Sequence, residues 1–267
     1  MNTKSARFAH LINKAFLVTG ILLSLFMLQP AQAALNLELT QGISAALPIA
    51  IVPFADETNN VPGGVSFTQV IQNDLQNSGQ FRIKTPGWFG EKPTDVSQVK
   101  FPYWRKQGVN DIVIGQIKSL GSDQFQVSFQ LLSVFSKAKN STTSGNAVLL
   151  SQTFNVTQAG LRQLAHHVSD LIYQKLTGVR GIFSTKITYI LVQRSSGQVP
   201  KYTLEVADAD GFNPRPLLVS NEPIMSPTWS PNGKVIAYVS FENQRSSIYL
   251  QDVATGKRQR VSDAPGI

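Results

Sequence analysis

Residues 226–234 read Ser226-Pro227-Thr228-Trp229-Ser230-Pro231-Asn232-Gly233-Lys234. Pro231-Asn232-Gly233 predicts a tight turn, with Gly233 free to take positive φ. Trp229, just before it, suits packing between successive sheets. The strand-like run that follows, Lys234 to Val239, echoes an earlier one, Lys186 to Ile190, and Ile187 and Ile236 lie 49 residues apart. Each run leads on to a second strand ending in aspartate. Leu204 to Asp208 precedes Ala209-Asp210-Gly211, and Ile248 to Asp252 precedes Val253-Ala254-Thr255-Gly256, so the aspartates are 44 residues apart. A period of about 40–50 residues made only of strands predicts β-propeller blades. Two blades cannot close a ring, and each buries its faces only against neighbours. The sequence therefore reads as part of a longer product.

Upstream of Gly181 the texture differs. Leu47 to Phe54 is a β-prone run. Phe67, Val70, Ile71 and Leu75 fall at helical spacing, and Gly79 suits the stop. Phe81 to Thr85 reads as a strand, Pro86 to Pro102 as a loop, and Tyr103 to Gln107 as a short helix ended by Gly108. Three β-prone runs follow, Asp111 to Leu120, Phe125 to Phe135 and Ala147 to Val156. The second alternates cleanly at Phe125, Val127, Phe129 and Leu131. The clearest helix runs from Leu161 to Thr177, with Leu161, Leu164, Ala165, Val168, Leu171, Ile172 and Leu176 on one apolar face. Gly178 stands where a left-handed residue ends a helix. The order βαβ(α)βββα predicts an α/β (α+β) domain, a mixed sheet with covering helices, ahead of the incomplete all-β propeller.

The start of the chain is built for export. Lys4, Arg7 and Lys14 form a positive region with no acidic residue before position 34. An apolar stretch, Ala15 to Leu28, is interrupted only by Thr19, Gly20 and Ser24. Gln29-Pro30 break it, and Ala31-Gln32-Ala33 supplies a small-x-small cleavage site between Ala33 and Ala34. The stretch is shorter than the roughly 20 apolar residues of a spanning helix. Cleavage leaves 234 residues and lowers the net charge from +8 to +5. No dense basic stripe with interleaved aromatics points to nucleic acid. The densest run, Lys257-Arg258-Gln259-Arg260, reads as a solvated face. The absence of cysteine removes disulfides, thiol nucleophiles, thiolate metal sites and a lipoprotein anchor. After the cleavage site, Leu35, Leu37 and Leu39 alternate with Asn36, Glu38 and Thr40, the period of a half-buried strand.

Catalytic constellations are not evident. His166 and His167 are the two histidines after the leader, and they project about 100° apart on their helix. His166 and Asp170, four residues apart, could share a face, but two ligands make a weak metal site. Asp208-Ala209-Asp210-Gly211-Phe212-Asn213 starts like a calcium loop. Its glycine comes too early, and Val219 occupies the twelfth position where an acid is needed. A turn stabilised by aspartate side chains is the expectation. No Gly-x-Ser-x-Gly elbow, phosphate loop or dinucleotide fingerprint occurs. No cofactor and no metal are expected.

The repeat around Trp229 resembles the propeller repeat shared by the TolB family and by the non-catalytic propellers of some serine peptidases. The leader, Ile49-Ala50-Ile51-Val52-Pro53-Phe54, Asp74-Leu75-Gln76-Asn77-Ser78-Gly79-Gln80-Phe81 and Ile114-Gly115-Gln116 select the TolB family. So does Lys175-Leu176-Thr177-Gly178-Val179-Arg180-Gly181-Ile182-Phe183-Ser184-Thr185-Lys186-Ile187, which looks like that family's junction between its two domains. The resemblance implies a periplasmic, non-catalytic protein of the Tol–Pal envelope system, with a six-bladed propeller of which about two blades are present here. It implies two partners: the lipoprotein Pal on the propeller, and TolA on the mature N-terminus. It also implies a role in outer membrane integrity and in invagination at division. The division expected is a signal peptide over 1–33, a partner-binding tail over 34–46, the α/β domain over 47–180 and the first blades over 181–267. The TolA-binding residues implied are Ala34, Leu35, Asn36, Leu37, Glu38, Leu39, Thr40, Gln41, Gly42, Ile43 and Ser44. The competing reading is an exported peptidase gated by these blades, with its catalytic residues further along the gene.

Overall fold

The computed structural model describes residues 46–56, 61–84, 91–135 and 147–262. The expected signal peptide, its cleavage site and the tail residues 34–45 lie outside the described residues.

The N-terminal part contains β1 (Leu47–Ile51), α1 (Phe67–Asn77), β2 (Phe81–Ile83), α2 (Phe101–Lys106), β3 (Asp111–Gly121), β4 (Gln124–Ser133), β5 (Val148–Thr157) and α3 (Leu161–Thr177). These strands form one mixed sheet in the order β2-β1-β3-β4-β5. β1 runs parallel to β2 and β3, while β3, β4 and β5 are antiparallel neighbours. The helical crossover through α1 allows the parallel pairing of β1 and β2.

Helices cover both faces of this sheet. On one face α1 and α3 bury Phe67, Ile71, Leu75, Ala165, Val168 and Ile172 against Ile49, Ile51, Val127, Phe129 and Leu131. On the other, Trp104 of α2 is fully buried among Ala50, Val52, Ile112, Ile114 and Leu132. Each such aliphatic or aromatic side chain removed from water contributes about 1.5–3 kcal/mol. β1 and the first half of β3 are buried on both faces, which is why they read as continuous apolar runs. The exposed positions of β5 instead alternate with half-buried ones.

Local signals set the helix ends. The Ser66 hydroxyl caps α1 by accepting from Gln69 N at 3.1 Å. α3 stops at Gly178, whose φ of 76° is left-handed and whose N–H donates to Gln174 O at 2.9 Å. α2 begins earlier than expected: Phe101 and Pro102, which the sequence reads as the end of a loop, form its first turn. Proline is tolerated there because the first-turn N–H groups have no intrahelical partner.

The rest of the chain is all β. β6 (Lys186–Gln193), β7 (Lys201–Asp208) and β8 (Arg215–Ser220) form an antiparallel sheet in that order. β9 (Ile224–Trp229), β10 (Val235–Ser240), β11 (Ser247–Asp252) and β12 (Arg258–Ser262) form a second, ordered β12-β11-β10-β9. The echo in the sequence matches β6 with β10 and β7 with β11. Between the sheets lies a separate core of Leu204, Val206, Ile224, Ile236, Tyr238 and Tyr249, with Trp229 packed against it. These are partial propeller blades, and among the described residues no sheet closes on itself.

The Pro231-Asn232-Gly233 turn forms as read. Gly233 has φ 68° and donates to Ser230 O at 2.9 Å. The Asn232 carboxamide oxygen accepts from Ser230 Oγ at 2.7 Å and from Lys234 N at 3.0 Å. The basic run near the end is only partly a solvated face. Arg258 donates to both carboxylate oxygens of Glu242 at 2.7 Å and stacks 4.5 Å above the Tyr249 ring. Its position on β12 turns it back over the inter-sheet core, a placement that charge alternation does not reveal.

Candidate interaction site at the junction of sheet and blades

On α3 the core-facing stripe is bordered by Arg162, His166 and Asp170, spaced four apart and therefore stacked along one side. This second stripe is where the α/β part meets the blades.

Arg162 ion-pairs with Asp210, in the turn between β7 and β8, and its Nη1 donates to Pro62 O at 3.3 Å. The Phe212 ring lies 4.1 Å from the guanidinium carbon. Phe212 also fills the space beside Gly63, where a Cβ would stand 2.7 Å from its Cε2. His166, 1% exposed, places Nδ1 2.8 Å from Asp74 Oδ2 on α1 and Nε2 3.6 Å from Asp210 Oδ2. Asp170 accepts from Phe183 N at 2.7 Å, from Ser184 N at 3.1 Å and from the Ser184 hydroxyl. It thus clamps the connector that becomes β6. His166 and Asp170 do share a helix side, but they serve different partners and converge on no common ligand point. His167 is exposed and packs edge-on against Phe154.

The aspartate-rich turn after β7 is held by its own side chains, as expected. Asp210 Oδ1 accepts from Phe212 N at 3.0 Å, and Asp208 pairs with Lys186 Nζ at 2.6 Å. Burial pushes the Asp210 carboxyl up. The Phe212 N–H, the Arg162 guanidinium and the His166 ring outweigh that and hold it below the usual carboxylate range.

Beside this network opens a cleft of about 470 Å³ lined by Asp74, Asn77, Ser78, Tyr173, Asp210 and the connector from Val179 to Phe183. Its rim carries Val179 and Ile182, 62% and 67% exposed. The cleft combines the Asp74 and Asp210 carboxylates and the Arg180 side chain with apolar side chains, a mixture that suits contact with another polypeptide. The Ser78 hydroxyl is not set up as a nucleophile, since its Oγ donates to Leu75 O at 2.6 Å. Among the described residues, no group of three or more His, Asp or Glu side chains is disposed to hold a metal. No helix among them is long and apolar enough to cross a membrane.

Sequence reading missed the Asp74–His166–Asp210 cluster. Its members are 92 and 44 residues apart, so no local period connects them. The one available signal was the four-residue spacing of Arg162, His166 and Asp170.

Residues 35–140 match a family described as the TolB amino-terminal domain, and residues 173–267 match the TolB beta propeller domain. The two matches follow one another in the order in which the mixed sheet precedes the blades.

The chain belongs to the TolB family.

Among curated relatives, the Tol-Pal system protein TolB of Coxiella burnetii is 57% identical over 249 residues, covering 92% of this chain and 55% of the relative. The Tol-Pal system protein TolB of Legionella pneumophila strain Corby is 47% identical, covering 88% of this chain and 51% of the relative. The crystal structure of TolB from Acinetobacter baumannii aligns with a TM-score of 0.69 at 38% identity, covering 83% of this chain and 51% of that one. The chain spans about half the length of the TolB relatives it matches.

Proposed function

We propose that this protein is a periplasmic, non-catalytic interaction component of a Tol–Pal system. In this reading it links TolA to Pal, maintains outer membrane integrity and supports outer membrane invagination during cell division. The observation that carries the proposal is the succession of TolB amino-terminal and TolB propeller matches on one chain, behind a secretory leader. The curated relatives bear the name Tol-Pal system protein.

The division of labour follows the chain. Residues 1–33 direct export and are removed. Residues 34–46 form the tail, whose alternating Leu35, Leu37 and Leu39 suit strand addition to TolA, with backbone hydrogen bonds supplying affinity and the leucines register. Residues 47–180 form the α/β domain and 181–267 the first blades, which contribute to a Pal-binding propeller.

The test is capture of purified TolA C-terminal domain and of Pal by the exported protein, with and without Ala34 to Ala46. Deleting the tail is expected to abolish TolA capture and to spare Pal capture. Unchanged TolA capture would show that the tail assignment is wrong. N-terminal sequencing of the exported protein, expected to begin at Ala34, checks the cleavage site.

A further inference from the structure

The His166 ring stands between two carboxylates that belong to different parts of the fold. Asp74, on α1, is 2.8 Å from Nδ1; Asp210, in the β7–β8 turn, is 3.6 Å from Nε2. Nε2 is buried and has no hydrogen-bond partner. A neutral imidazole carries one N–H and one lone pair, whereas an ionised carboxylate only accepts. With its proton on Nδ1, the ring satisfies Asp74 and turns a lone pair toward Asp210. With its proton on Nε2, the conflict moves to Asp74. Only the imidazolium presents a donor to each.

The charge balance points the same way. The charged groups in contact with the ring or its carboxylates are Asp74 from α1, Asp210 from the blade turn and Arg162 from α3 itself, and Arg180 of the connector lines the cleft beside both carboxylates. Asp170, the next acid on α3, is turned to the N–H groups of Phe183 and Ser184. With a neutral ring, the two carboxylates beside it share one guanidinium contact, that of Arg162 on Asp210, and Asp74, 6% exposed, has none. With the imidazolium the cluster holds two positive and two negative charges, the arrangement that offsets desolvation best.

The mechanical consequence lies in the gap on the Nε2 side. At 3.6 Å it exceeds the usual N–H···O length by about 0.6 Å. Closing it draws the β7–β8 turn toward α3, beside the cleft rimmed by Val179 and Ile182.

We propose that His166 is a proton-operated latch between the α/β part and the first blade. A proton taken up from solvent at the ring adds an Nε2–H···Asp210 hydrogen bond and draws the blade turn onto α3. Loss of that proton removes this bond and leaves the turn held to α3 by Arg162 alone.

The sequence contains no cysteine, so Gln76→Cys on α1 and Gln193→Cys at the end of β6, both exposed, give two unique sites for spin labels. Electron–electron distances are measured on the full chain at about pH 5.5 and pH 8, a range that brackets histidine chemistry. The His166 ring-carbon shift is followed by NMR alongside. The ring shift is expected to move with pH, and the short-distance, narrow population to rise about tenfold at the lower pH, as a hydrogen bond to a charged group would give. His166→Gln should remove that response while leaving the circular dichroism unchanged. Identical distance distributions at the two pH values, or a pH response that survives in His166→Gln, would overturn the proposal. If His166→Gln does not fold, the parent protein decides: a ring shift that moves with pH while the distance distribution stays fixed is equally fatal.

Discussion

Asp170 and Gly181 touch so closely that a Cβ on Gly181 would stand 2.6 Å from the Asp170 Cα. The contact lets the connector fold back along α3, where Asp170 accepts the N–H groups of Phe183 and Ser184 before β6 begins at Lys186. Gly181→Ala must push the connector off the helix and is expected to cost about 1–3 kcal/mol. Asp170→Ala should cost a similar amount, because it strands two backbone donors in a part-buried site. Urea unfolding followed by circular dichroism reads both. A Gly181→Ala protein as stable as its parent would show that the connector has room to move.

Gly115 presents the same physics inside the sheet. A Cβ there would meet Ser128 O at 2.5 Å and Phe54 Cδ1 at 2.7 Å. The Phe54 ring can lie flat against β3 only because that side chain is missing. Gly115→Ala is expected to lose about 1–3 kcal/mol through overpacking. Pairing it with Phe54→Leu, which vacates part of the space, should recover some of the loss. Strict additivity of the two in denaturant unfolding would contradict the contact.

Asp111 opens β3 in a mostly apolar setting, and burial pushes its carboxyl up to about 6. An acid whose folded value lies above its unfolded value near 3.9 binds its proton more tightly in the native state. Its contribution to stability is therefore fully present below about pH 4 and is lost as pH rises through about 6. Asp111→Asn removes the ionisation. It should unfold at a higher temperature than the parent at pH 7.5, with the gain vanishing near pH 4. A gain of equal size at both pH values would mean that the charge is not its cause.

The three positions differ in how far the sequence announces them. α3 was legible from end to end, since one apolar stripe and Gly178 define it without outside help. The blades were legible because Trp229 to Lys234 punctuates a repeat, and the turn chemistry is local. The start of α2 was not, because Phe101-Pro102 carries the same signal in a loop as in a first turn. The junction was half legible. Arg162, His166 and Asp170 mark a polar side of α3, but their partners Asp74, Ser184 and Asp210 are chosen by tertiary packing. The close approaches at Gly115 and Gly181 leave no pattern in a single sequence.

Trp229 ends β9 opposite Ile236 and packs against the core between the two blade sheets. Its indole Nε1 is buried without a hydrogen-bond partner. Most of what the side chain contributes is therefore apolar contact, and the N–H works against it. Trp229→Phe keeps much of the contact and removes the unsatisfied donor, so it should change stability by no more than about 1 kcal/mol. Trp229→Ala leaves a void and should cost about 2–4 kcal/mol. That loss should be local, because the inter-sheet core shares no residue with the two cores of the mixed sheet. Hydrogen exchange is expected to show lost protection in β6 to β12 with β1, β3 and β4 unchanged. If Trp229→Ala instead leaves protection intact throughout and weakens capture of Pal, the side chain is a recognition element rather than a packing one.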